Sequence, residues 1–309
     1  MARTRFAPDR GLTVRMGLTM FLLGLVLVGF VAAIIGILSY AHASNGAIIF
    51  IAVVFALGMT FGSYFFSDKI ALSAARAREV SPRDAPELHG IVDRLCALAD
   101  MPKPRVAIAE SDMPNAFATG RNSKVAVLCV TTGLLRRLDR SELEGVISHE
   151  MSHVAHRDVA VMTIASFLAI VAGLLVRFAF YSELFGGDRG RRDNNNAFPV
   201  ILVVMVVSIV VYAISFLLIR ALSRYRELAA DRSGALLTGQ PSALASALQK
   251  VSGDIARIPT RDLRAAEPLN AFYFAPAFAK GTISALFSTH PPLEKRLAQL
   301  AKISQQIGR

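Results

Sequence analysis

The sequence predicts an α-helical membrane protein, with four transmembrane helices and a mainly helical polar domain that carries a small β-sheet. Three observations predict this. The chain is 53% hydrophobic with a mean hydropathy of +0.47. Its apolar residues are gathered into four blocks rather than spread along the chain, which points to a bilayer rather than a large soluble core. Between the blocks, the polar stretches carry helical and alternating apolar spacing in turn.

Taken in order, Gly17 to Tyr40 and Ala47 to Phe66 form the first pair of blocks, each long enough for a spanning helix, which takes about 20 residues. Ala41-His42-Ala43 resembles a signal-peptidase site. The apolar run before it exceeds the roughly 7–15 residues of a signal core, so an uncleaved anchor is expected. Val159 to Val176 and Phe198 to Ile219 form the second pair. The expected organisation is a membrane hairpin (1–66), half of a polar domain (67–158), a second hairpin (159–219) and the other half (220–309).

Positive charge sets the expected orientation. Arg3, Arg5, Arg10 and Arg15 precede the first block, Lys69, Arg76, Arg78 and Arg83 follow the second, and Arg220, Arg224 and Arg226 follow the fourth. Both polar halves are therefore expected in the cytoplasm. The stretch Ser182 to Ala197 disagrees, since it would lie outside yet contains Arg189, Arg191 and Arg192. The net charge of +11 is concentrated at block ends with no nucleic-acid motif beside it. A lipid bilayer is thus the expected partner, and nucleic acid is not. Cys96 and Cys129 lie far apart without ligand spacing and are expected as buried apolar residues.

In the polar halves, Leu88, Ile91, Val92, Leu95 and Leu98 give Arg83 to Asp100 a helical spacing. Arg105 to Ala109 and Lys124 to Val130 read as strands. Ser141-Glu142-Leu143-Glu144 reads as a capping box opening a helix at Ser141.

That helix carries His149-Glu150-Met151-Ser152-His153. Histidines at i and i+4 share one helix face, so their ring nitrogens can share one ion. Glu150 is rotated off the pair towards an open coordination position, as a general base for a metal-bound water. His156 lies seven residues past His149, about 10 Å along the axis, too far to join the same ion on an unbroken helix. The better third ligand is Glu227, in Arg226-Glu227-Leu228-Ala229-Ala230-Asp231. If both helices continue out of the membrane, His153 and Glu227 stand about 9 and 12 Å beyond their apolar boundaries, at similar heights in an antiparallel pair. Asp231 is i+4 from Glu227. Two like charges there destabilise a helix unless a cation compensates them, which suits Asp231 to orienting a ligand histidine. The competing reading has Arg224, Arg226 and Arg232 neutralising both acids on a solvated face.

At these residues the chain resembles the HtpX-like membrane zinc endopeptidases, relatives of the CAAX prenyl endopeptidases. The resemblance covers most of Arg83 to Arg296: Asn115-Ala116-Phe117-Ala118-Thr119-Gly120, Thr131-Thr132-Gly133-Leu134-Leu135, HEMSH with Arg157-Asp158 following, RELAAD, and Thr289-His290-Pro291-Pro292-Leu293-Glu294-Lys295-Arg296. It implies a gluzincin-type protease domain with one zinc ion on His149, His153 and Glu227, and Glu150 as base. It implies that Asn115, Ala116, Phe117 and Ala118 lie on an edge strand that takes up peptide substrate. It also implies that His290 and Arg296 stabilise the oxyanion. The activity so implied is cleavage of misfolded or damaged membrane proteins, a stress-response role, at the cytoplasmic face of the bacterial inner membrane. A processing protease for lipidated C-termini and a catalytically silent membrane adaptor are the alternatives. The intact Glu150 argues against the adaptor.

Overall fold

The computed structural model describes residues 10–40, 46–185, 197–257 and 290–308. They divide into two compact units: one gathers Tyr64–Ala160 and Ser223–Arg309 with Met1–Leu12, the other Thr13–Ser63 and Val161–Leu222.

The second unit is helical and apolar on its outside. It draws on α1 (Arg10–Tyr40), α2 (Gly46–Phe65), α7 (Asp158–Phe185) and α8 (Ala197–Thr238). Its interior is built from residues such as Leu23, Phe30, Ala165, Leu168, Ala172 and Val211. Large apolar side chains including Phe21, Val28, Ile164 and Leu217 are exposed, an outer face that lipid rather than water would solvate. Three helices are long and apolar enough to cross a membrane: Thr13–Ile37, Asp158–Arg177 and Pro199–Thr238. The second expected span, Ala47 to Phe66, forms α2, but its described apolar stretch, Val53–Gly62, is shorter than a crossing needs. The Arg-rich stretch between the last two blocks lies outside the described residues.

α8 is continuous from the fourth apolar block through RELAAD. At 42 residues it is about twice what a crossing needs, and its charged residues fall in its second half. The HEMSH helix behaves differently. α6 (Arg140–Ala155) stops two residues short of α7. The helix expected to continue from HEMSH into the third block is broken at Arg157, whose φ of 57° is left-handed.

The first unit packs helices on a four-stranded sheet of order β1-β2-β4-β3, with β1 Ala77–Glu79, β2 Arg105–Ala109, β3 Ala116–Thr119 and β4 Val127–Thr131. β2 and β4 are parallel; β1 and β3 pair antiparallel with β2 and β4. Successive strand residues face opposite sides. Val106, Ala116, Leu128 and Val130 join the core with α4 (Pro86–Ala99) and α6, while Ala107, Ala109, Phe117, Val127 and Cys129 meet α3 (Ser67–Ala74). Both cysteines are buried and unbridged. β3, which contains Ala116 to Ala118 of the expected substrate edge, is an edge strand.

α6 is buried on nearly every side. Its N-cap is Asp139, not Ser141: the Asp139 carboxylate accepts from the amides of Ser141 and Glu142, and Glu142 closes the capping box back onto the Asp139 amide. Asp139 sits two residues nearer the turn after α5 (Thr132–Arg137), and its short carboxylate satisfies two orphan amides at once. α9 (Pro241–Arg257) packs on α6 where Gly145 lets Leu244 approach, a Cβ there standing 3.2 Å from its backbone. The last described helix, α10 (Leu293–Ile307), adds Leu300 and Ile303 to the same core.

Candidate active site

His149 and His153 stand one turn apart near the end of α6, their rings edge to face at 4.9 Å. α8 brings Glu227 opposite them. The close approach of α8 depends on Gly234, where a Cβ would lie 2.7 Å from Ser148 Oγ and 3.0 Å from the His149 amide nitrogen.

Three ligand atoms converge. His149 Nε2 and His153 Nε2 are 3.2 Å apart, and Glu227 lies 3.7 Å from the first through Oε2 and 3.5 Å from the second through Oε1. Ligands at about 2.0–2.1 Å in a tetrahedral set stand roughly 3.3 Å from one another, so these spacings fit one small divalent cation. Among the described residues this is the group of His, Cys, Asp and Glu side chains that can hold a metal ion. His156 is not part of it; its Nδ1 lies 2.8 Å from the Ser152 carbonyl.

The other ring nitrogens are held by carboxylates. His149 Nδ1 lies 2.9 Å from Asp231 Oδ1, and His153 Nδ1 donates to Asp158 Oδ2 at 2.5 Å. This arrangement turns both Nε2 lone pairs towards the shared position. Each carboxylate also meets an arginine. Arg296 donates through Nε and Nη2 to the two oxygens of Asp231 at 2.7 and 2.6 Å, and Arg226 Nη2 reaches Asp158 Oδ2 at 2.7 Å. Glu227 and Asp231 are buried, so the solvated acidic face weighed from sequence does not exist. The compensating charge on Asp231 comes from Arg296 on α10 instead.

Glu150 is buried, and its Oε2 accepts the Ala118 amide of β3 at 3.1 Å. Burial pushes its carboxyl up to about 8, with the nearby Glu227 charge adding to the shift. Burial disfavours charge on His153, but its hydrogen bonds to Asp158 and Glu227 outweigh that and lift it to about 10. His149, more fully dominated by burial, moves below the ordinary histidine value. A cation at the shared position would displace the proton from His153 Nε2.

His290 and Arg296, expected at the oxyanion, lie beside the third ligand. His290 Nδ1 is 2.9 Å from Glu227 Oε2, and Arg296 Nη1 is 3.9 Å from the same oxygen. Asn115 precedes β3, its amide donating to Thr131 Oγ1. Sequence reasoning gave no role to Asp158, which it quoted only as part of a motif, nor to Gly234, and it gave Arg226 only the roles of a membrane-flanking charge and of a neutralising charge on a solvated acidic face. Asp158 is the acid five residues past the second histidine, and a helix assumed unbroken hides the return of its side chain.

The family model for peptidase family M48 matches residues 82–304. The chain belongs to peptidase family M48. It is 63% identical over 308 residues to Protease HtpX homolog 1 of Streptomyces coelicolor, covering 99% of this chain and 97% of that relative. It is 53% identical over 307 residues to a Protease HtpX homolog of Moorella thermoacetica, covering 99% and 98%. Among solved structures it is similar to S. mikatae Ste24p, with a TM-score of 0.51 and 17% identity over 93% of this chain and 67% of that one; that likeness concerns the fold. Membership of M48 and the His-His-Glu cluster support a metalloprotease. The apolar helices and the relatives point to a membrane protein.

Proposed function

We propose that the chain is a zinc-dependent endopeptidase that cuts misfolded or damaged membrane proteins at the cytoplasmic face of the bacterial inner membrane. The observation that carries the reading is the convergence of two Nε2 atoms and one carboxylate beside a base that is tied to an edge strand. His149, His153 and Glu227 would hold the zinc, which would supply there a water of lowered pKa and a Lewis acid for the scissile carbonyl. Glu150 takes the water proton and returns it to the leaving amine. It is buried among the ligands and oriented by the Ala118 amide.

The strand supports the choice of substrate. Thr131 donates to the Asn115 carbonyl, and antiparallel pairs alternate. Phe117 and Thr119 therefore turn their backbone groups to β4, and Ala116 and Ala118 turn theirs away from it; the Ala118 amide is taken by Glu150, which leaves the Ala118 carbonyl and the Ala116 groups for a substrate strand. An extended peptide pairing there is gripped by main-chain bonds, so an unfolded segment of almost any sequence fits. Because Arg296 is committed to Asp231, we assign the oxyanion role to His290. Cytoplasmic placement rests on the arginines and lysines that flank the apolar blocks.

The test is casein cleavage by detergent-purified protein, with chelator and with zinc restored. Chelator-sensitive cleavage is expected, and Glu150→Gln is expected to lower it by about 10²–10⁴-fold with metal content unchanged. Cleavage that survives both treatments rules the mechanism out.

A further inference from the structure

We infer that Asp158 and Arg226 form a clamp that sets the geometry of two of the three metal ligands although neither residue is a ligand itself. The inference rests on the metal-site reading above and adds to it what holds the two halves of the site together.

Asp158 Oδ2 is a shared acceptor, 2.5 Å from His153 Nδ1 and 2.7 Å from Arg226 Nη2. One end of the clamp is therefore the ring of the second ligand. The other end is the residue immediately before the third ligand, Glu227. Neighbouring residues on a helix point about 100° apart, so fixing the Arg226 guanidinium fixes the rotation at which α8 presents Glu227. Asp231, four residues beyond Glu227, is gripped by Arg296. The third ligand is thus flanked on both sides by charged anchors.

The backbone is distorted where the clamp needs it. On a continuing helix, a residue five positions past His153 would not face it. Arg157 is left-handed at φ 57°, a conformation that costs a non-glycine residue about 1–2 kcal/mol. That turn ends α6 at Ala155 and brings Asp158, only 3% exposed, back onto His153. Strain of this kind persists where surrounding contacts over-determine it, and here the contacts are the two bonds to Oδ2. A purely structural account, an acid in the first turn of α7, explains the helix start but not why its carboxylate is shared with a ligand ring.

The experiment uses full-length protein in detergent, stripped by chelator and titrated with zinc against a chromophoric competitor, with the visible spectrum of the cobalt form as a second readout. Asp158→Asn and Arg226→Met are each expected to raise the zinc Kd by about 10–100-fold and to shift the cobalt bands. The double variant should be no weaker than the worse single one, because both break the same clamp. Arg226→Lys, which keeps the charge, should recover part of the affinity. Should Asp158→Asn fail to fold, the Met and Lys variants at Arg226 decide the matter alone. Zinc Kd values within about twofold of wild type, unshifted cobalt bands, or losses that add in the double variant overturn the clamp. If the wild-type protein itself takes up no zinc, the metal-site reading fails, which is a different result.

Discussion

The two histidines of the site lie one turn apart on α6, yet they are held by opposite constructions. His149 meets Asp231 on α8, and Asp231 is gripped through both oxygens by Arg296 on α10. His153 meets Asp158 in the turn just past its own helix, and Arg226 reaches that acid with one nitrogen. Arg226 Nε and Asp158 Oδ1 are buried without a hydrogen-bond partner among the described residues. The first support is a product of tertiary closure, drawing on three helices distant in sequence. The second starts from a local acid, placed by one backbone conformation, and reaches α8 only through Arg226. A single ion position is therefore exposed to two unrelated kinds of failure.

Breaking the first support should have the largest effect. Arg296→Met leaves Asp231 buried without its cation and is expected to destabilise the protein by about 3–5 kcal/mol, read as a fall in Tm in detergent. A change below about 1 kcal/mol would show that α10 is held by its apolar contacts alone. Next comes Gly234→Ala, whose new Cβ meets Ser148 Oγ and the His149 backbone. Forcing α8 off α6 should cost about 1–3 kcal/mol and weaken metal binding; unchanged affinity would mean the ligands do not depend on that approach.

The second support is sharpened at Arg157. Arginine already bears the left-handed penalty of about 1–2 kcal/mol, so replacement by glycine should leave stability equal or higher, while valine, whose β-branch fits that φ worse than arginine does, should lower it. Equal melting of the two variants would remove strain from the description. The smallest effect belongs away from the site, where Lys250 and Ser246 bond the buried Glu142 at the start of α6. Burial works against the Glu142 carboxylate, but these bonds outweigh it and lower its pKa. A lowered carboxylate adds stability above its unfolded value, about 4.3, and loses it as pH falls through the folded one. The Tm difference between wild type and Lys250→Met should therefore be present at pH 7 and shrink below about pH 4.

The sequence was most legible where chemistry dictates residue type. HEMSH needs its two imidazoles on one helix face, and Glu227 with Asp231 betrays itself as a like-charge pair that wants a cation. The strand segments follow from alternation, but the order that puts β3 at the edge does not, because pairing partners are chosen by tertiary packing. Asp158 was hidden for a different reason. Its position follows from the left-handed turn at Arg157, and nothing about an arginine announces that backbone. Arg296 was quoted, but a buried guanidinium that answers an acid 65 residues earlier reads in sequence as one more surface charge. The helix start slipped from Asp139 to Ser141 because both residue types make good caps.

The scattering of the first support along the chain has a consequence in time. A ribosome adds about 5–20 residues per second, and Arg296 follows His149 by about 150 positions. The nascent chain therefore carries its HEMSH helix for roughly 7–30 s before the arginine that locks Asp231 exists, and the third ligand is itself missing for about half of that interval. During that window its own cutting site cannot assemble. Gene order within the polypeptide thus acts as a delay, and the peptidase is born inert.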